Sequence, residues 1–198
     1  MDHISKLTEY FKKFPGIGER QAKRFVYFLL FTDKAYTDEI AELILKVKEN
    51  IHQCQSCFCF FPADSRKESN LCEICASPTT DITTLLIVEK DTDMESVERS
   101  GYRGKFFILG GMAGNFGNNK SIRMDKLIQT VENSATKKEE KLKEVIIAMS
   151  LSTEGEHTDF VLRETLGPLS IKHGFKISSL GLCGAGGQRE NLTRLFNR

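Results

Sequence analysis

The sequence predicts a mixed α+β protein of several parts, in which a helical N-terminal part and a small cysteine-rich module precede an α/β domain with a mostly parallel sheet. Three observations support this. The first fifty residues carry apolar side chains at helical spacing, and two Cys-x-x-Cys pairs follow within residues 54–75. From residue 84 onward, short apolar runs alternate with helical patterns. At 198 residues, the chain has room for one compact domain or two small ones.

Two N-terminal helices are predicted on either side of the turn Pro15-Gly16-Ile17-Gly18, because proline and glycine interrupt a helix. Each helix has an apolar face at spacings of three and four residues. The face of the first helix comprises Leu7, Tyr10, Phe11 and Phe14. The face of the second comprises Ala22, Phe25, Val26 and Leu29.

The Gly16-Ile17-Gly18 turn of this helical hairpin is suited to holding a phosphate. Its glycines let the backbone turn tightly and approach a ligand, and the N-terminus of the second helix offers free N–H groups. Arg20 and Arg24 share a helix face away from the apolar stripe, with Lys23 beside them. This pattern favours contact with a DNA backbone over the alternative, an ordinary hairpin with a solvated basic face.

A third helix is predicted to begin at a cap formed by Thr37 or Asp38 and to lead into the first cysteine. Its spacing predicts a buried apolar stripe. The stripe comprises Ile40, Leu43, Ile44, Val47 and Ile51.

The four cysteines of the two Cys-x-x-Cys pairs predict a structural zinc site. Two knuckles separated by fourteen residues supply four thiolates, as tetrahedral zinc requires, and four protein ligands leave no open position for chemistry. The alternatives are two disulfides or four unrelated buried thiols; His52 is a weaker candidate ligand and Cys59 a spare thiol. The predicted ligands are Cys54, Cys57, Cys72 and Cys75.

The rest of the chain predicts strands at residues 84–88, 105–109, 145–149 and 175–179, with helices at 93–100, 125–131 and from 154. Functional side chains in such sheets lie where strands end. Glu89 follows the first strand, with Asp93 just beyond it, and Glu154 and Glu156 follow the third. These acids could hold Mg²⁺ or bind a protein partner, or they are simply polar loop residues.

The charge is distributed unevenly, although the net charge is only +1. Residues 6–24 carry six Lys and Arg against two acids, whereas residues 89–99 carry five acids against two bases. The sequence shows no signal segment and no apolar run long enough to span a bilayer. We therefore expect a soluble cytoplasmic protein whose thiols stay reduced.

In its order of motifs, the chain resembles the RecR family of bacterial recombination mediators. The resemblance is carried by Phe14-Pro15-Gly16-Ile17-Gly18, Arg20, Arg24, the four cysteines, Leu86-Ile87-Val88-Glu89, Asp93, Gly101-Tyr102-Arg103-Gly104, Leu109-Gly110-Gly111 and Thr153-Glu154-Gly155-Glu156. It implies a helix-hairpin-helix domain at 1–52, a zinc finger at 53–77, a Toprim domain at 78–180 and a tail at 181–198.

The resemblance also implies the function. The family is not enzymatic: it forms a tetrameric ring clamp that acts with RecO to load recombinase onto single-stranded DNA coated by binding protein. It implies one zinc ion per chain, binding to single- and double-stranded DNA, a dimer or tetrameric ring, and location near the nucleoid. The alternative is a Mg²⁺-dependent Toprim enzyme acting on DNA, such as a primase or nuclease. Such enzymes tend to carry Asp-x-Asp where this chain has Glu154-Gly155-Glu156.

Two segments depart from the family pattern. Residues 112–117 read Met-Ala-Gly-Asn-Phe-Gly instead of a Ser-Pro-Leu stretch, and residues 181–188 replace the family's Glu-Leu-Glu-Tyr region. Because the tail helps family members associate, the departure bears on the assembly more than on the fold.

Overall fold

The computed structural model describes residues 2–63, 70–113, 122–137 and 139–182. The chain divides into two compact units, residues 1–51 and 52–198. The divergent tail from residue 183 and much of the segment after Gly111 lie outside the described residues. Within the described part of the chain, no helix is long and apolar enough to cross a membrane.

The first unit contains three helices, each with an identifiable start. The Asp2 side chain caps α1 (His3–Phe11) by accepting a hydrogen bond from the Ser5 N–H. Gly18 occupies the cap position of α2 (Glu19–Phe31). The Asp33 carboxylate accepts from the Tyr36 N–H at 2.8 Å and starts α3 (Lys34–Asn50).

Three predictions for this unit are wrong. The third helix begins at Lys34, not beside Thr37 or Asp38, because Asp33 caps it. Its predicted buried stripe is not buried: the α3 side chains at 43, 44 and 47 are each more than half exposed. Likewise α1 ends at Phe11 and Phe14 lies in the following turn, where its side chain is 57% exposed. Helical spacing shows which face is apolar, but it does not show whether anything covers that face.

The second unit is built on a parallel four-stranded sheet of order β4-β3-β5-β6, as the apolar runs predicted. A two-stranded sheet and a short helix precede it. They belong to the four-cysteine module, which we define as residues 51–77. The elements are β1 (Ile51–Gln53), β2 (Phe60–Pro62), α4 (Glu73–Ala76), β3 (Asp81–Val88), α5 (Asp91–Glu98), β4 (Gly104–Ile108), α6 (Met124–Ala135), β5 (Glu144–Ser150), α7 (Thr153–His173) and β6 (Lys176–Leu182).

The sheet is covered on both faces, which explains why its strands are nearly continuous apolar runs. Alternate residues of β3, including Leu85 and Ile87, pack in one core with α6 and α7. Their neighbours Leu86 and Val88 face the other side, where α5 and the four-cysteine module form a second core. The carboxyl ends of β3 and β5 consequently meet at one edge, beside the starts of α5 and α7.

Candidate functional sites

The four predicted zinc ligands converge on one point. The Sγ atoms of Cys54, Cys57, Cys72 and Cys75 all lie within 4.8 Å of one another. The Cys57 and Cys72 sulfurs are 3.6 Å apart, close to the edge of about 3.8 Å that a tetrahedron with a metal–sulfur distance of ~2.3 Å would have. Three of the four side chains are buried. The geometry fits a metal ion held by four thiolates, whereas sulfurs in two disulfides would be bonded in pairs at ~2.05 Å.

Backbone hydrogen bonds shape the first knuckle. The Cys54 N–H donates to the Cys59 carbonyl at 2.8 Å, and the Phe58 N–H donates to the Cys54 carbonyl at 3.0 Å. Phe58 adopts a positive φ of 67°, which is uncommon for a residue with a side chain. The Cys72 N–H donates to the Cys54 sulfur at 3.4 Å, and hydrogen bonds led by that from Cys57 lower the pKa of the Cys54 thiol. Zinc binds thiolates, so a metal that enters the cluster displaces the protons that its sulfurs carry.

The competing ligand raised by the sequence, His52, and the spare thiol, Cys59, both lie outside this group. His52 is exposed, and its ring packs edge-on against Phe61 with centroids 6.4 Å apart. Cys59 is buried beside the cluster but is not one of the four residues whose sulfurs converge.

The four-cysteine module is fastened to the sheet by contacts that the sequence did not predict. The Cys57 carbonyl accepts a hydrogen bond from the Ile108 N–H at 2.9 Å, which ties the first knuckle to the end of β4. The Phe58 ring packs edge-on against Phe107 at 5.3 Å, and the Arg123 guanidinium lies 5.2 Å from the Phe58 ring. Phe58 and Arg123 carry no local sequence signal, because their roles depend on segments far apart in the chain.

The predicted DNA-binding residues lie at the turn between α1 and α2. Gly16 has a φ of +75°, and no atom lies within 4 Å of the position that a Cβ would occupy at Gly16 or at Gly18. The backbone between them, including half-buried Ile17, is therefore open to a ligand. No side-chain hydrogen bond caps α2 at Gly18, so its first N–H groups are available to an anion.

The three basic side chains predicted to contact DNA are all exposed but differ in their contacts. Lys23 forms an ion pair with Glu19 at 2.7 Å, and Arg24 donates to the Gln21 side chain at 3.3 Å. Arg20 makes no hydrogen bond or ion pair with any described residue. The buried residues of α2 are Ala22 and Val26, so both arginines point away from the packed face.

The predicted acids gather where β3 and β5 end. Glu89 directly follows β3, Asp93 lies in the first turn of α5, and Glu154 and Glu156 lie in the first turn of α7. Carboxylates at helix N-termini are stabilised by the helix dipole. Gly155, between the last two acids, allows α7 to pass close to the backbone of Ser150 at the end of β5.

Three of these acids interact electrostatically. Burial raises the pKa of Glu89, and the charges of Asp93 and Glu154 raise it further, whereas Lys90 opposes the shift. Burial also raises the pKa of Asp93. Glu156 is exposed on the same helical turn but does not contribute to these shifts. The site thus holds partly buried negative charge, which favours contact with a cation or a basic side chain.

The sequence is similar to a known domain family and to several known proteins. The Toprim domain family matches residues 83–181, which include most of each of the four parallel strands. The chain is 33% identical to "Recombination protein RecR" of Chloroflexus aurantiacus over 174 residues, covering 85% of this chain and 78% of that protein. It is 30% identical to the protein of the same name from Bdellovibrio bacteriovorus over 190 residues, covering 90% of each chain. The Lactobacillus acidophilus protein of that name is 28% identical over 172 residues.

Proposed function

The chain belongs to the RecR family of recombination proteins, and on this basis we propose that it is a non-enzymatic, DNA-binding mediator of recombinational DNA repair. In this role it would act with a RecO-like protein in the cytoplasm, at the nucleoid, to load recombinase onto single-stranded DNA. The observation that carries the DNA-binding part is the open Gly16-Ile17-Gly18 turn beside the exposed Arg20 and Arg24.

The hairpin is proposed to bind the phosphates of single- or double-stranded DNA. Backbone N–H groups at the start of α2 would contact one phosphate, and Arg20 and Arg24, with Lys23 beside them, would contact its neighbours. Contacts of this kind position a protein on DNA without reading its sequence. Lys23 contributes least, because Glu19 already neutralises part of its charge.

We propose that the four cysteines hold one zinc ion with a purely structural role. Thiolate sulfur is a preferred ligand of zinc, and four protein ligands leave no position for water or substrate. The module also lacks a large core of its own, so the ion would stabilise its fold and the attachment of the knuckle to β4.

The acids at the carboxyl ends of β3 and β5 are proposed to bind a basic surface of the RecO-like partner. Glu89, Asp93 and Glu154 concentrate negative charge at one place, with exposed Glu156 extending it. The competing assignment is a Mg²⁺ site in a Toprim enzyme, since a cation would relieve the same repulsion.

A homo-oligomer, either a dimer or a tetrameric ring, is proposed to supply the affinity for DNA. One hairpin offers few phosphate contacts, whereas several hairpins joined in one assembly add theirs through effective concentration. The many exposed apolar side chains of α2 and α3 support self-association, because apolar surface commonly becomes buried at an interface. They include Tyr27, Phe28, Leu30, Phe31, Leu43, Ile44, Leu45 and Val47.

A salt titration tests the DNA contacts. Arg20→Ala with Arg24→Ala should weaken binding to DNA of any sequence and make the dependence of log affinity on log salt shallower, by about 0.9 per lost phosphate contact on duplex. Lys34→Ala with Lys48→Ala removes the same charge from the exposed surface of α3 and serves as the control. Equal losses of affinity in the two double variants would mean that Arg20 and Arg24 act only through the overall positive charge of the protein, and not through specific phosphate contacts.

An activity assay separates the mediator from the enzyme. The protein is incubated with Mg²⁺ and with labelled primer-template, nicked or supercoiled DNA. The mediator assignment predicts no strand cleavage, joining or primer synthesis. Turnover that disappears in Glu89→Gln would instead establish the Toprim enzyme.

A further inference from the structure

A groove of about 580 Å³ runs between the four-cysteine module and α5. Its apolar walls come from both sides: Phe61, Leu71 and Ile74 from the module and Met94 from α5. Phe60 also lines the groove, and its side chain is 60% exposed. The groove therefore offers apolar contact surface among the described residues.

Three carboxylates also line the groove, around its apolar side chains. Glu95 and Glu98 lie three residues apart on α5 and so share one face, while Glu73 lies on the other side, on α4. All three are exposed. Glu95 pairs with Arg99 at 3.3 Å, but Glu73 and Glu98 have no ion pair with any described residue. Among the described residues that line the groove, none is a lysine or arginine.

The backbone of β2 offers an added strand no free N–H group at Phe60 or Pro62. The Phe60 N–H already donates to the Asp91 carboxylate at 2.7 Å, and Pro62 has no N–H. An occupant must therefore be recognised by its side chains. The acidic rim also repels phosphate, which argues against nucleic acid here.

We propose that this groove binds a short segment of a partner protein in which lysines or arginines flank a large apolar side chain. The apolar side chain fills the space between Leu71 and Met94, and the basic side chains pair with Glu73 on one wall and Glu98 on the other. Such opposite charges set the orientation of the segment and exclude acidic partners. The proposal goes beyond the function above, since neither the hairpin nor the acids that follow β3 and β5 take part.

The test uses a fluorescein-labelled peptide, Gly-Lys-Arg-Leu-Phe-Lys-Arg-Gly, and fluorescence anisotropy at 150 mM salt. Binding with a dissociation constant in the range of 10–100 µM is expected for a contact of this size. Replacing Leu-Phe by Ser-Ser in the peptide should weaken binding at least fivefold, because the apolar contact is lost. Glu73→Lys with Glu98→Lys in the protein should weaken it at least tenfold.

Two controls make these outcomes specific. Glu39→Lys with Glu164→Lys reverses the same charge at exposed sites elsewhere and should change affinity less than twofold. Because Glu73 adjoins a cysteine of the cluster, Glu98→Lys alone, which should weaken binding about threefold, decides the matter if the double variant loses its fold.

Three outcomes would overturn the proposal: no binding at 1 mM protein, equal binding of the Ser-Ser peptide, or equal losses in the groove and control variants. A lower mass in solution for the Glu98→Lys variant than for the unaltered protein would also overturn the proposal. It would show that a second copy of this chain occupies the groove.

Discussion

Gly155 lies where α7 begins against the end of β5, and adding one methyl group there should disturb the acidic site. A Cβ on Gly155 would lie 2.0 Å from the Ser150 carbonyl oxygen and 3.0 Å from its carbonyl carbon, both backbone atoms at the end of β5. These atoms cannot rotate away. We expect Gly155→Ala to lower the free energy of unfolding by about 1–3 kcal/mol, the usual cost of overpacking, despite the better helix propensity of alanine.

Gly181 provides a matched comparison at a similar distance. A Cβ there would lie 2.3 Å from Cδ2 of Leu151, but that atom is the end of a side chain that is 65% exposed. Because Leu151 can change rotamer, Gly181→Ala should change stability by less than about 1 kcal/mol. Urea unfolding followed by circular dichroism measures both variants. If Gly155→Ala is as stable as Gly181→Ala, the close approach of α7 to β5 is not a constraint, and the positions of Glu154 and Glu156 need another explanation.

The remaining predictions concern the metal and the acids. Cys72→Ser should abolish zinc binding and destabilise the module, at a cost on the order of 10 kcal/mol by analogy with small zinc modules, while Cys59→Ser should keep one zinc per chain in elemental analysis. Glu89→Gln should stabilise the protein at pH 7, because burial and nearby carboxylates raise the pKa of Glu89 in the folded state. The gain should grow as pH rises above the ordinary value of 4.5 and vanish below it, and a gain independent of pH in urea titrations would refute the assignment. Glu154→Gln with Glu156→Gln should weaken binding of the RecO-like partner in a pull-down or calorimetric titration and leave DNA affinity equal or higher.

The sheet and the four-cysteine cluster could be predicted because their signals are local. Continuous apolar runs such as 84–88 are typical of strands buried on both faces, and each Cys-x-x-Cys pair brings its two sulfurs together on one turn. The acids could be placed at one edge because parallel strands end there. Their mutual effect on pKa depends on burial, which the sequence does not encode locally.

Other features could not be predicted from the sequence, and the reasons are equally physical. Asp33, Thr37 and Asp38 are all good caps, and the sequence does not show which of them the backbone uses. β1 and β2 are only three residues long, too short to show alternation. The positive φ of Phe58 and the position of Arg123 follow from packing between distant segments, so no spacing rule points to them.

The most direct test of the account is reconstitution of recombinase loading. Single-stranded DNA coated with single-strand-binding protein is mixed with recombinase and with the RecO-like protein of the same organism, and the DNA-dependent ATPase of the recombinase reports loading. The account predicts that this protein accelerates loading and that Arg20→Ala with Arg24→Ala removes most of the acceleration, while the variant with Lys34→Ala and Lys48→Ala retains it. No acceleration by the unaltered protein would contradict the mediator function, and full acceleration by the arginine variant would contradict DNA binding through the hairpin.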